Sequence, residues 1–272
     1  MTLNGLNNIA DALGSSQRMP LVFVGHGNPM NAIEDNEFAS GWREVGKELP
    51  KPKAILCVSA HWETRGTFVT AMEKPKTIHD FYGFPPELFA VDYPARGSPD
   101  LAEQTKAMVK QAIVELDNNW GLDHGCWSVV RRMYPNADVP VLQLSLDRYQ
   151  SPDRHYNLAK DMASLRRNGV LIIGSGNMVH NLRMINWQDP NSAYDWAQEM
   201  NVRFKEYILN GNHKSLISYP SLGKAAALSV PTPEHFLPML YVLGLKEKDE
   251  NITIFNDKTV MGSISMTSFR IS

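Results

Sequence analysis

The sequence predicts a single α/β domain: a mostly parallel central sheet flanked by helices on both faces. Short, wholly apolar runs such as Leu21-Val22-Phe23-Val24 and Val170-Leu171-Ile172-Ile173 recur along the chain. Runs of this length and composition read as strands buried on both faces. Segments with apolar residues at helical spacing lie between them, and strand–helix alternation builds parallel sheets. No change of composition divides the 272 residues into two halves.

Leu21 to Val24 forms the first strand, which stops at Gly25-His26-Gly27. Phe38, Trp42, Val45 and Leu49 then repeat at helical spacing, and Pro50 and Pro52 end that helix. Ala54 to Ser59 is the second strand, ending at Ala60-His61-Trp62. Residues 73–97 carry Pro75, Pro85, Pro86 and Pro94 among several aromatics. This stretch is too broken for a helix and too apolar for a linker, so it reads as a loop covering the body. Ser98-Pro99 opens a helix whose pattern of Leu101, Met108, Ile113 and Leu116 carries it to about residue 116. Val139 to Leu146 is the third strand, and Ser151-Pro152 opens a helix that Gly169 closes. Val170 to Ile173, the fourth strand, runs into Gly174-Ser175-Gly176-Asn177. Helices around 192–210 and 234–243 and strand-like segments near 252–255 and 262–271 complete the chain. Residues 1–18 are expected to be a peripheral N-terminal extension, with the functional domain spanning 19–272.

Composition narrows the function classes. Lys and Arg number 27 against 29 Asp and Glu, a net charge of −2 without a basic run, so no nucleic-acid partner is expected. Cys57 and Cys126 cannot form a disulfide framework, which suits a reducing compartment. No apolar stretch approaches the ~20 residues that span a bilayer, and residues 1–20 lack an apolar core of signal-peptide length. The expectation is a cytoplasmic protein with no membrane partner.

Ligands of open α/β sheets bind beyond the carboxyl ends of the strands. His26 follows the first strand, His61 the second, and Ser175, Asn177 and His180 the fourth. Two histidines directly after separate apolar strands point to one shared site, and Gly25 and Gly27 leave room for close approach to His26. A metal is rarely held by two side chains, so a third ligand is expected from elsewhere. The best source is Thr232-Pro233-Glu234-His235-Phe236-Leu237-Pro238, with Thr232 read as the helix cap. Glu234 there also compensates the helix dipole. A cationic histidine gains nothing at that end, so a neutral His235 is the more economical ligand. His124, in Asp123-His124-Gly125, reads either as an acid or base with Asp123 as a neighbour or as a surface turn residue. His79 reads as structural, His155 and His213 as solvated, and Cys57 as a core thiol. Cys126 close to His124 is poor evidence for a Cys–His pair. The chain has no G-x-S-x-G elbow, and Gly174-Ser175-Gly176 lacks the third glycine of a dinucleotide fingerprint.

The motifs V-G-H-G-N-P-M (24–30), S-A-H-W (59–62), I-H-D-F-Y-G-F-P (78–85), D-H-G-C-W (123–127), G-S-G-N-M-V-H-N-L-R (174–183), T-P-E-H-F-L-P (232–238) and M-G-S-I-S-M (261–266) occur in this order. As an ordered set running from about residue 19 to the C-terminus, they resemble the class III extradiol ring-cleavage dioxygenases of the 4,5-DOPA dioxygenase-like branch. The resemblance implies a non-haem metal enzyme that opens the ring of a catechol, DOPA-like for preference, with O2 to a muconic semialdehyde. By motif, His26, His61 and His235 take the metal-binding positions, and His180 is either a further ligand or a catalytic residue. One divalent metal is implied: Fe(II) for activity, with Zn(II) able to occupy the same imidazoles in the purified protein. Ring cleavage also needs a base and an acid, for which His180 and His124 are the candidates. Two other functions fit parts of this pattern, a zinc-dependent hydrolase and a non-enzymatic peptide-binding relative of the same fold.

Overall fold

A computed structural model of the chain describes residues 18–272. The expected extension over 1–18 lies, but for Arg18, outside the described residues. The strands are β1 (Leu21–Gly25), β2 (Ala54–Thr64), β3 (Thr67–Thr70), β4 (Val114–Asp117), β5 (Val141–Asp147), β6 (Val170–Gly176), β7 (Ile252–Phe255), β8 (Thr259–Val260), β9 (Ile264–Ser265) and β10 (Ser268–Ile271). Eight of them form one sheet in the order β4-β3-β5-β2-β6-β1-β10-β7, and β8 and β9 pair separately. The centre is parallel, with β2 beside β5 and β6 and β6 beside β1, while β10 and β7 are added antiparallel at one side.

The central strands alternate between two apolar cores. Leu21, Phe23, Leu56, Val58 and Ile172 face one core; Val22, Val24, Ile55, Cys57, Leu171 and Ile173 face the other. Both faces are therefore covered, as continuous apolar runs require. Helix α1 (Glu37–Glu48) buries Trp42 and Val45, and α4 (His124–Met133) buries Trp127 and Val130, both in the second core. Between them in sequence come α2 (Pro86–Phe89) and α3 (Pro99–Met108). The first core receives α5 (Pro152–Lys160), α6 (Ala163–Arg167), α7 (Asp195–Leu209) and, after α8 (His213–Ile217) and α9 (Lys224–Ser229), α10 (Leu237–Gly244). Helix α10 is buried from Leu237 to Leu243 and apolar all round, as a helix with no solvent face should be. No described helix is long and apolar enough to cross a membrane.

Several elements differ from the periodicity reading. The helix opened by Ser98 stops at Met108, and Val114–Asp117 is a strand. Beyond Met108, the backbone N–H groups of Lys110 and Gln111 donate to the Asp161 carboxylate at 2.7 and 2.9 Å, which holds the chain out of the helix. Strand β3, unmarked in the sequence, exists by pairing with β4 and touching β5. The stretch from Ser151 to Gly169 is two helices rather than one. The covering segment contains the one-turn helix α2, opened by Pro85 and Pro86.

His155 and His213 are not solvated. His155 is 2% exposed, with Nδ1 2.9 Å from the Tyr241 hydroxyl, and His213 Nδ1 lies 2.9 Å from the Tyr156 hydroxyl. Burial lowers the His155 pKa from 6.5 to about 4. The unfolded chain then takes up a proton at this residue below pH 6.5 while the folded chain refuses it down to about 4. Stability is full above that window and falls through it, by at most roughly 1.4 kcal/mol per pH unit. A His155→Gln variant should therefore lose Tm less steeply than wild type in melts across the same window; parallel slopes would contradict the assignment.

Candidate active site

His26, His61, His124, His180 and His235 line one cavity of about 490 Å³ at the carboxyl ends of β1, β2 and β6. His26 leaves β1 with its N–H donating to Gly176 at 3.0 Å and its carbonyl accepting from Asn31 at 3.1 Å. What approaches closely beside it is protein: a Cβ on Gly25 would stand 2.7 Å from the Met266 backbone. His61 lies inside β2, where Val58 pairs with Leu144 and Glu63 with Leu146. Five residue steps on β2 thus oppose two on β5, and such a bulge re-aims the side chains it carries.

His124 begins α4. Asp123 is the N-cap, its Oδ1 accepting from Cys126 N at 3.0 Å and from Ser59 Oγ at 2.6 Å while Gln143 donates to its Oδ2 at 2.6 Å. The Asp123 carboxylate is thus spent in a buried network away from the His124 ring. The acid beside that ring is Asp80, from the covering segment. Asp80 Oδ1 accepts the His124 N–H at 2.9 Å, and Oδ2 stands 3.0 Å from His124 Nδ1 and 3.3 Å from His61 Nδ1. Burial acts to raise the Asp80 carboxyl, but contact with His124 and the charge of His61 hold it below its ordinary value. Helix α4 can approach β2 this closely only because residue 125 is glycine; a Cβ there would stand 2.5 Å from Ser59 Oγ and 2.8 Å from the His61 ring.

Gly174 and Gly176 serve packing rather than anion binding. Cβ atoms on them would meet the carbonyls of Pro238 at 2.4 Å and His235 at 2.1 Å. This brings the turn before α10 against β6. Helix α10 starts only at Leu237, so Thr232 does not cap it; its hydroxyl donates to Glu234 Oε1 at 2.8 Å instead. Glu234 Oε1 also accepts from His235 Nδ1 at 3.2 Å. The His235 ring stacks on His180, with centroids 3.5 Å apart and planes at 11°.

These partners determine which ring nitrogens carry protons. The Ser175 hydroxyl donates to the Gly125 carbonyl at 2.5 Å, so it accepts from His26 Nδ1 at 3.0 Å. The Glu234 carboxylate only accepts, so His235 also presents N–H at Nδ1, and the negative Asp80 carboxylate 3.3 Å from His61 Nδ1 favours the proton on that nitrogen as well. All three rings therefore offer unprotonated Nε2 atoms, and those of His26 and His61 are 3.1 Å apart. The ring centroid of His235 lies 5.3 Å from that of His26 and 5.0 Å from that of His61. Burial, reinforced by neighbouring imidazoles, pushes His26, His61 and His235 well below the usual histidine range. Burial takes His180 to about 4. Among the described residues, two clusters have ligand atoms within 4.8 Å of one another, His26 with His61 and His124, and separately His180 with Glu234 and His235, so the expected ligands His26, His61 and His235 are divided between them.

His79 is structural, its Nε2 donating to the Val91 carbonyl at 2.9 Å. Cys126 is fully buried, and burial followed by the neighbouring Cys57 pushes its thiol up, so it is no nucleophile. Asp80 is the residue that motif reading passed over. Its signal is a lone carboxylate within the aromatic run Phe81-Tyr82-Gly83-Phe84 of the covering segment.

Residues 19–269 match the model of the catalytic LigB subunit of aromatic ring-opening dioxygenase. The chain belongs to this family of class III extradiol dioxygenases. It is 46% identical over 267 residues to the 4,5-DOPA dioxygenase extradiol of Escherichia coli K12, covering 97% of this chain and 98% of the relative. A 4,5-DOPA dioxygenase extradiol of Beta vulgaris is 35% identical, covering 92% and 95%. Among solved structures, an uncharacterized protein of Escherichia coli K12 superposes with a TM-score of 0.82 at 43% identity, covering 94% of this chain and all of that one. As a family member the chain is an extradiol dioxygenase, an enzyme of aromatic ring cleavage on an α/β fold.

Proposed function

We propose that this dioxygenase opens a catechol ring with O2 at a single divalent metal held by His26, His61 and His235, yielding a muconic semialdehyde. The observation that carries the reading is the shared protonation pattern of the three rings. His26 and His235 each donate Nδ1–H to an acceptor that can only accept or is already donating, and His61 has its Nδ1 3.3 Å from the Asp80 carboxylate, which leaves Nε2 as the free nitrogen of three rings that line one cavity. The lone pairs of two such nitrogens 3.1 Å apart repel each other unless a cation lies between them. Ligand nitrogens about 2.1 Å from a common ion also stand about 3 Å apart. The His26–His61 pair therefore fits a metal, and imidazole suits iron and zinc alike. Fe(II) held by these residues would supply redox chemistry that Zn(II) lacks.

The protein's own groups handle protons. His124 accepts a catechol hydroxyl proton on the ring nitrogen away from Asp80. The Asp80 carboxylate, 3.0 Å from Nδ1, stabilises the resulting imidazolium. His180, half-buried and neutral against His235, moves the second proton as the ring opens. Phe81, Phe84 and Ile264 line the cavity beside the histidines and keep water from the ring.

Anaerobic loading with Fe(II), followed by O2 and a catechol panel, tests this. Expected are O2 uptake and a yellow ring-opened product. Stoichiometric Fe(II) without O2 uptake on any catechol would defeat the proposal, and turnover persisting without O2 would indicate a hydrolase. Asp80 gives a separate check. An Asp80→Asn variant loses the carboxylate charge 3.3 Å from His61 Nδ1 and should bind metal roughly 10- to 100-fold more weakly, measured by chelator competition.

A further inference from the structure

The charged lining of the cavity is wholly acidic. Apart from the histidines, the only ionisable side chains among the described lining residues are Glu34 and Asp80. Asp80 is occupied by His61 and His124. Glu34 is exposed, and its carboxylate makes no hydrogen bond or ion pair with the described residues. Lys258 and Arg132 are already engaged. Lys258 Nζ donates to Glu37 at 2.7 Å and Asn191 at 3.3 Å. Arg132 donates to the carbonyls of Asn31 and Glu34 at 2.8 and 2.6 Å. Among the described residues, no Lys or Arg lines the cavity. The amides of Asn31 and Asn36 are likewise used, in the chain that links His26 O through Asn31 to Asn36 and Ala39. Besides the neutral amides of Asn28 and Asn191, the wall includes Phe38, Phe84, Leu182 and Trp187, an apolar and aromatic surface that attracts organic cations.

We infer that the enzyme selects catechols whose side chain carries an ammonium group, with Glu34 as the specificity residue that reads it, over catechols whose side chain carries a carboxylate. The inference rests on the catechol dioxygenase reading: the ring oxygens lie at the histidines, and the side chain points to the mouth. A cationic side chain gains the Glu34 pair and contact with the aromatic wall. An anionic one meets repulsion from Glu34 and finds no cation among the described lining residues to offset it, only the neutral amides of Asn28 and Asn191. A side chain with both charges falls between.

The test is calorimetric binding of dopamine, 4-methylcatechol and 3,4-dihydroxyphenylpropionate to the Fe(II)-loaded enzyme under argon, with O2 uptake recorded in parallel. The expected order of affinity is amine, neutral, acid. For an exposed pair, each step should be up to about fivefold. The spread should shrink in about 1 M salt, where screening acts within about 3 Å, and the amine-to-acid ratio should collapse in Glu34→Gln. Equal affinities, or an unchanged ratio in Glu34→Gln, overturn the assignment. So does tightest binding of the acid; if Lys258→Gln then removes that preference, Lys258 is the reader instead. Failure of all three catechols to bind or to consume O2 overturns the dioxygenase reading, and the Glu34 assignment with it.

Discussion

Alanine at His61 is expected to abolish stable metal binding and ring cleavage together. His61 supplies one of two Nε2 atoms 3.1 Å apart, and its removal leaves His26 and His235 to hold the ion. The loss in metal affinity should exceed the roughly 10- to 100-fold drop expected for the supporting Asp80. Metal analysis after desalting measures it, and stoichiometric, wild-type-affinity metal in His61→Ala would refute the ligand set. The neighbouring pair distinguishes the third ligand. Glu234 touches His235 Nδ1, so Glu234→Gln should keep the metal and His235→Ala should lose it. The opposite pattern would make Glu234 the ligand.

His180→Ala is expected to bind Fe(II) and catechol but to lose turnover by about 10²- to 10⁴-fold, the range of a general acid–base residue. The His180 ring stacks on His235 at 3.5 Å, so the variant must be checked for an unaltered Tm and metal content before its rate is read. A parallel fall in metal affinity would make His180 a fourth ligand. Unchanged single-turnover rate in a well-folded, iron-loaded variant would exclude both roles.

Much of this architecture was legible because it is local. An apolar run such as Leu21–Val24 has no other stable place than a strand covered on both sides, and the residue after it must emerge at the sheet edge. His26 was therefore placeable from its neighbours alone. His61 was harder, since β2 continues past it to Thr64 and only the bulge turns its ring toward the cavity. The helix expected to reach residue 116 ends at Met108 because Asp161, distant in sequence, accepts the N–H groups that follow.

The sequence by itself determined the α/β class, the sheet edge at which chemistry is gathered, and the histidines delivered there, because period and strand ends are properties of adjacent residues. Tertiary structure alone decided the partners. Asp80 from the covering segment, Ser175 from β6 and Glu234 before α10 each engage a ring Nδ1, and so decide which nitrogen faces the cavity. A histidine's protonated nitrogen depends on the group that happens to lie against it. For His26 and His61, that group comes from another part of the chain.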